Sequence, residues 1–335
     1  MSASLDVTNM LVQAVDNGNV EMVQEALGKG AAPNTVFNSD WGWNVLDRAI
    51  YHGNIPIIEM LLEAGADVNH LDAQNENCLF KVIDLNNLGL VRKIVKKGAH
   101  VNQVSKDQGL TPICISLINR NLSISQYLSK KGAKINPFEP DGSVPFSIVI
   151  DNAEGDEDLS PLIDFLIDSG LDINAQDYKG WTAIMKTIKK GMKKTFKHLI
   201  KKGADVNLQN NDGNNPIFEA ALKDDPEFLK IILSAGGDVE NSLPSGFSPL
   251  MAACKMGFQQ SSELLVNAGA NVNKKDGAGL TPLMYAATSN IEIVRMLIKN
   301  QADSKTTCNQ GKTALDYAKE FDNQEAYDEL KKSKG

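Results

Sequence analysis

Gly269-Ala-Asn-Val-Asn273, Leu280-Thr-Pro-Leu-Met-Tyr-Ala-Ala287 and Ile293-Val294-Arg-Met-Leu297 follow one another as a unit whose pattern recurs along the 335 residues. The Gly-led pentad returns as Gly30-Ala-Ala-Pro-Asn34, Gly65-Ala-Asp-Val-Asn69, Gly98-Ala-His-Val-Asn102 and Gly132-Ala-Lys-Ile-Asn136. It continues as Gly170-Leu-Asp-Ile-Asn174, Gly203-Ala-Asp-Val-Asn207 and Gly236-Gly-Asp-Val-Glu240, with a degenerate copy at Gln301-Ala-Asp-Ser-Lys305. Successive steps are 35, 33, 34, 38, 33, 33, 33 and 32 residues. A near-constant period of this length marks a repeat array. The chain therefore reads as a single domain over 1–335, with repeats ending near 34, 69, 102, 136, 174, 207, 240, 273 and 305 and a C-terminal cap at 306–335.

Each repeat has a physical reading. The pentad Gly follows a helix with apolar periodicity, such as Ile57, Ile58, Leu61 and Leu62, and supplies the left-handed residue that ends it. A polar hairpin follows, closed by a second Gly (Gly42, Gly109, Gly142, Gly180, Gly213, Gly246, Gly279, Gly311). Next comes Thr111-Pro112, Ser248-Pro249 or Thr281-Pro282, where the hydroxyl is placed to cap a helix and Pro fits its first position. Small pairs such as Ala252-Ala253 and Ala286-Ala287 allow neighbouring helices to approach closely. One unit cannot bury its apolar face alone, so the units must stack.

This pattern resembles the ankyrin repeat over about residues 8 to 332. The resemblance implies an all-α fold: a solenoid of helix-turn-helix units joined by β-hairpin-like loops. Two departures stand out. The family's His after Thr-Pro-Leu is replaced throughout, by Phe80, Cys114, Ser147, Met185, Phe218, Met251 and Met284. Gln301 stands where the helix-ending Gly belongs, at an expected cost of ~1 kcal/mol. The recurring Asp-Val-Asn and Asp-Ile-Asn at Asn69, Asn174 and Asn207 resembles the target of the asparaginyl hydroxylase that acts on such repeats, although Asn is also an ordinary turn residue. The first unit opens with polar Asn9, Gln13 and Asp16 and the last ends with Glu325, Asp328, Glu329, Lys331 and Lys332, as caps on a stack should.

Little in the sequence points to chemistry. Gly311-Lys312-Thr313 looks like the tail of a phosphate loop, but Thr306 occupies the position of its first Gly. His52, His70, His100 and His198 fall in different units without ligand spacing. Cys78, Cys114, Cys254 and Cys308 lie far apart with no CxxC, so neither a disulfide framework nor a zinc site is expected. The acids Asp151, Glu154, Asp156, Glu157 and Asp158 in the fifth unit lack the ordered ligand ladder of a calcium loop. No cofactor or metal is expected, and the chain reads as non-catalytic. An enzyme with an unrecognised site in the acidic-basic centre is the competing class; it requires a deep pocket with perturbed titratable groups. A net charge of −8 disfavours nucleic acid as a partner. The start, Met1-Ser-Ala-Ser-Leu-Asp6, carries no leader pattern, and no apolar run approaches the ~18 residues of a membrane span. A monomer in the cytoplasm, or alternatively the nucleus, is the expectation.

Nine acids and no Lys or Arg lie between Asp151 and Asp177, and nine lysines and no acids between Lys179 and Lys202. The two blocks read either as complementary neighbours or as a basic stripe for an acidic partner. The ankyrin resemblance implies that a protein partner touches hairpin tips and the exposed ends of inner helices. Mapped by register, Asp40, Trp41, Trp43, Tyr51 and His52 of the second unit occupy such places. Tyr178, Lys179, Trp181, Lys189 and Lys190 occupy them in the sixth. Large aromatics and cations on an exposed surface are typical of interface hot spots, whereas Trp43 and Trp181 also suit the role of covers over adjacent hairpins. The chain is thus expected to be an interaction scaffold or adaptor, or alternatively a regulatory or inhibitory subunit of an enzyme or transcription factor.

Overall fold

The computed structural model describes residues 2–37, 41–107, 109–135 and 145–333; Asp40, Asn136 and Gly142 lie outside them. Among the described residues there are twenty α-helices and, in place of strands, one isolated bridge between Val36 and Asn44. The fold is all-α. Two compact units are distinguished, Met1–Asn152 with Asp164–Ser169, and Ala153–Ile163 with Gly170–Gly335.

Within each unit, short helices alternate between an inner and an outer row. In the first, Val45–Tyr51 packs on Cys78–Asp84, which packs on Pro112–Ile118, which packs on Pro145–Asp151. In the second, Ala183–Lys190, Pro216–Ala221, Pro249–Met256, Pro282–Ala287 and Ala314–Glu320 follow one another in the same way. The apolar faces meet between the rows. Leu46, Ile50, Ile57, Ile58 and Leu61 are fully buried in the first unit, and Phe196 and Phe228 meet edge to face at 4.9 Å in the second. Inner helices only seven or so residues long are below the length that is stable alone, so this burial holds them.

The capping expectation holds at two of its three sites. Ser248 Oγ accepts from Met251 N at 3.3 Å and Thr281 Oγ1 from Met284 N at 3.4 Å. The Thr111 hydroxyl makes no cap and lies 3.2 Å from Cys114 Sγ instead. Sulfur takes over at positions the family gives to His: Met251 Sδ accepts from Ser248 N at 3.4 Å. Most outer helices are capped by Asn, a signal the sequence reading did not use. Asn54, Asn290 and Asn323 each cap a helix through Oδ1, while Nδ2 donates to a carbonyl of the preceding repeat, Gly18, Gly257 and Ala287 respectively.

The Asn that ends most of the pentads does more than shape a turn. Asn207 Oδ1 accepts from Asp238 N at 2.8 Å and its Nδ2 donates to Gly236 O at 3.1 Å, so one amide clips a repeat to the next. Asn69, Asn102 and Asn273 repeat the arrangement with His100, Lys134 and Asp303. Gln301 belongs to this ladder through its carbonyl, which accepts from Asn273 Nδ2 at 3.1 Å. Its φ of 66° lies in the left-handed region, where an L side chain is strained. Gln301→Gly is expected to stabilise the chain by about 0.5–1 kcal/mol in urea unfolding, because the backbone strain is relieved while the carbonyl contact stays.

Candidate partner-binding surface

The hairpin before Val45–Tyr51 presents Trp41 and Trp43, and the far end of that helix presents Tyr51. Asn44 and Asp47 lock the helix start with a reciprocal pair of hydrogen bonds, Asp47 N to Asn44 Oδ1 at 2.9 Å and Asn44 N to Asp47 Oδ2 at 3.2 Å. The second Asp47 oxygen, Oδ1, lies 3.3 Å from Lys81 Nζ, on the inner helix of the next repeat. Lys81 Nζ also meets Asp72 Oδ2 at 2.7 Å and lies 5.8 Å from the centre of the Trp43 ring. Burial raises the Asp47 carboxyl above its ordinary range despite the facing lysine. Trp43 thus rests on a nearly buried ion triad.

The rings form a chain. Trp41 and Trp43 are 6.1 Å apart, Trp43 and Tyr51 5.2 Å, Tyr51 and His52 5.5 Å. Trp41 is 58% exposed and Tyr51 65%, whereas Trp43 is half-buried. Arg48, one turn before His52, lies against Phe37 and Tyr51 and donates Nε to Asp16 Oδ1 at 2.6 Å. Asp16 therefore serves as a partner as well as a polar cap residue. His52 Nε2 is 3.6 Å from the same Asp16 oxygen.

The opposite wall comes from the third repeat. Gln74, Glu76, Asp84 and Leu85 hold the positions equivalent to the aromatics one repeat earlier, and they face them across a cleft of about 530 Å³. Asp72 Oδ1 fixes this wall's loop by accepting from Gln74 N at 2.9 Å and Glu76 N at 3.0 Å. The Ala73 N–H donates to Trp41 O at 2.9 Å, which joins the two hairpin tips. Burial, and then the Asp72 charge, raise the Glu76 carboxyl above its ordinary range.

Register names Glu76 and Asp84 as counterparts of the aromatics one repeat earlier, but it does not show that they line the same cleft. A usable signal was present: the inner-helix residue nine positions after the hairpin Asp turns back onto it. Lys81 does so to Asp72, Lys186 to Asp177 at 3.0 Å, and Tyr285 Oη to Asp276 at 2.7 Å.

In the sixth repeat, Lys189 Nζ sits 4.6 Å from the centre of the Trp181 ring and covers it, and Lys179 lies against the 60% exposed Tyr178. Lys190 turns elsewhere, donating to Ala153 O at 2.9 Å. The lysine block meets acids on both sides of it. Lys193 pairs with Asp225 and Glu227, and Lys197 with Glu227, all in the following repeat. Lys186 pairs with Asp177, the last acid of the preceding block, inside its own repeat.

Among the described residues, no group of three or more His, Cys, Asp or Glu is placed to hold a metal, and no helix is long and apolar enough to cross a membrane. None of the four buried cysteines is in a disulfide, and burial pushes the Cys254 thiol up to about 12, far from a reactive thiolate.

The family model described as "Ankyrin repeats (3 copies)" matches residues 3–72, 152–242, 188–276 and 250–335. The chain belongs to the ankyrin-repeat family. It is 28% identical over 126 residues to "Ankyrin repeat and KH domain-containing protein mask-1" of Caenorhabditis elegans, covering 38% of this chain and 5% of that protein. It is 28% identical over 185 residues to "Ankyrin repeat protein nuc-2" of Neurospora crassa, covering 55% and 17%. With the "2-5A-dependent ribonuclease" of Mus musculus it shares 42% identity over 57 residues, covering 17% and 8%. The chain thus spans under a fifth of the length of each of these relatives.

Proposed function

We propose that the chain is a non-catalytic interaction scaffold or adaptor, and that a partner protein docks in the cleft between the second and third repeats. The observation that carries this reading is the exposure of Trp41 and Tyr51 on the rim of a cleft whose floor is tied down by Lys81 and Asp72. Leaving large rings in water forgoes part of the ~1.5–3 kcal/mol that burial of each supplies. A partner recovers it on a surface already organised to receive one. Ankyrin repeats are interaction modules, which supports the same reading. The Trp181–Lys189 face is the secondary contact. Nucleic acid is not the partner proposed, because Lys186, Lys193 and Lys197 are engaged by acids.

Trp41→Ala is the clean test, since Trp41 is mostly exposed while Trp43 covers the ion triad. Binding of the partner isolated with the native protein is expected to weaken by at least about 2 kcal/mol, or thirtyfold, in titration calorimetry. Helical circular dichroism and melting temperature are expected to stay near those of the unmodified chain. Retention of full affinity places the partner site elsewhere, with Trp181 the next to substitute.

A further inference from the structure

We propose that the cleft receives a basic side chain, lysine or arginine, from the partner protein. This rests on the reading of the cleft as the partner site and names the chemistry it selects. The argument is one of charge and ring faces. Two cations line the cleft, and both are already engaged: Arg48 by Asp16, and Lys81 by Asp47 and Asp72. The acids are in excess. Among the described residues the Glu76 carboxylate has neither an ion pair nor a hydrogen bond, and Asp84 meets the neutral amide of Asn119 at 2.8 Å. Opposite them stand Trp41 and Tyr51, whose exposed faces attract cations through the ring quadrupole. The same fold already shows the preference with its own residues, placing Lys81 over Trp43 and Lys189 over Trp181. Glu76 is held above its ordinary carboxyl range by burial and by Asp72, so an arriving cation relieves an unfavourable local field. An acidic side chain would meet unpaired carboxylates, and a purely apolar one would leave Glu76 desolvated without a partner.

The three tryptophans give each site its own indole signal, with Trp181 as an internal reference. The ¹⁵N-labelled full chain is titrated with acetylated, amidated Gly-Gly-Xaa-Gly-Gly peptides in which Xaa is arginine, lysine, citrulline, norleucine or glutamate. The arginine or lysine peptide is expected to move the Trp41 and Trp43 signals saturably and leave Trp181 in place. Its affinity is expected to exceed that of its neutral counterpart, citrulline or norleucine, by about tenfold. Glu76→Gln is expected to reduce that preference to about threefold or less. Asp84→Asn, on an exposed residue, gives an independent reading if Glu76→Gln perturbs the loop. Equal binding of basic and neutral peptides overturns the inference and leaves the cleft as a partner site of another chemistry. Stronger binding of the glutamate peptide, or no shift with any peptide, also overturns it. The broader reading fails separately, if Trp41→Ala keeps its partner at full strength.

Discussion

Replacing Lys81 by Met is expected to lower the stability of the first unit by about 3–5 kcal/mol at pH 7. The lysine is enclosed between Asp47 and Asp72, whose side chains are 1% and 3% exposed. Without it, two buried carboxylates face each other across the base of Trp43 with no cation between them. Removing one member of such a group leaves uncompensated charge, which costs far more than losing a surface pair. The deficit should depend on pH, with a sign that follows from Asp47. Burial raises its folded carboxyl above the unfolded value, and loss of the lowering Lys81 charge raises it further. The folded variant therefore binds a proton that the unfolded chain releases, so its stability falls as pH rises through this window and recovers as pH falls. Urea unfolding at pH 7 and pH 5 should show the gap to the unmodified chain narrowing at the lower pH. A loss under 1 kcal/mol at pH 7 would mean that water reaches the triad.

In the second unit, Phe196→Ala should cost about 3–5 kcal/mol, because the ring is fully buried on the outer row and leaves a cavity between repeats. Its edge-to-face partner Phe228 belongs to the next repeat, so the lesion falls on the interface that joins neighbours. Repeat arrays derive their cooperativity from such interfaces. The urea transition should move to lower concentration and also become shallower, as the repeats on either side begin to open separately. A shift of the midpoint with an unchanged slope would show that the interface survives the loss of one ring.

Much of the fold was legible because its punctuation is chemical. Gly65 and Gly203 carry φ of 87° each where the periodic helices stop, and Pro249 and Pro282 begin helices where an N–H is dispensable. The replaced His positions signalled altered hydrogen bonding, but not that Met251 sulfur would accept a backbone N–H. The aromatic half of the cleft was also legible, since register alone puts Trp41, Trp43 and Tyr51 at hairpin and helix ends. The acidic half was not. Glu76 and Asp84 look like ordinary surface residues until the third repeat is laid beside the second, and Lys81 looks like a solvated helix cation until Asp47 and Asp72 close on it. Sequence periodicity shows which positions correspond; it does not show which ones touch across a step of about 33 residues.

The hairpin tips are joined by backbone hydrogen bonds: Ala73 N donates to Trp41 O, Asn211 N to Lys179 O, Gly277 N to Ser245 O, and Asn309 N to Ala278 O. Side-chain amides reinforce them, Asn211 Nδ2 donating to Tyr178 O at 3.0 Å and Asn309 Nδ2 to Gly277 O at 3.0 Å, whereas Trp41 and Lys179 enter these bonds through their carbonyls. Stacked helices lie ~8–10 Å apart, which sets the interval from tip to tip. Each unit is therefore a ruled scale with blank marks. A substitution at a mark that contributes only its carbonyl, such as Trp41 or Lys179, changes what a partner meets there without removing the bond to the next tip, so new specificities can be acquired one such mark at a time with little risk to folding.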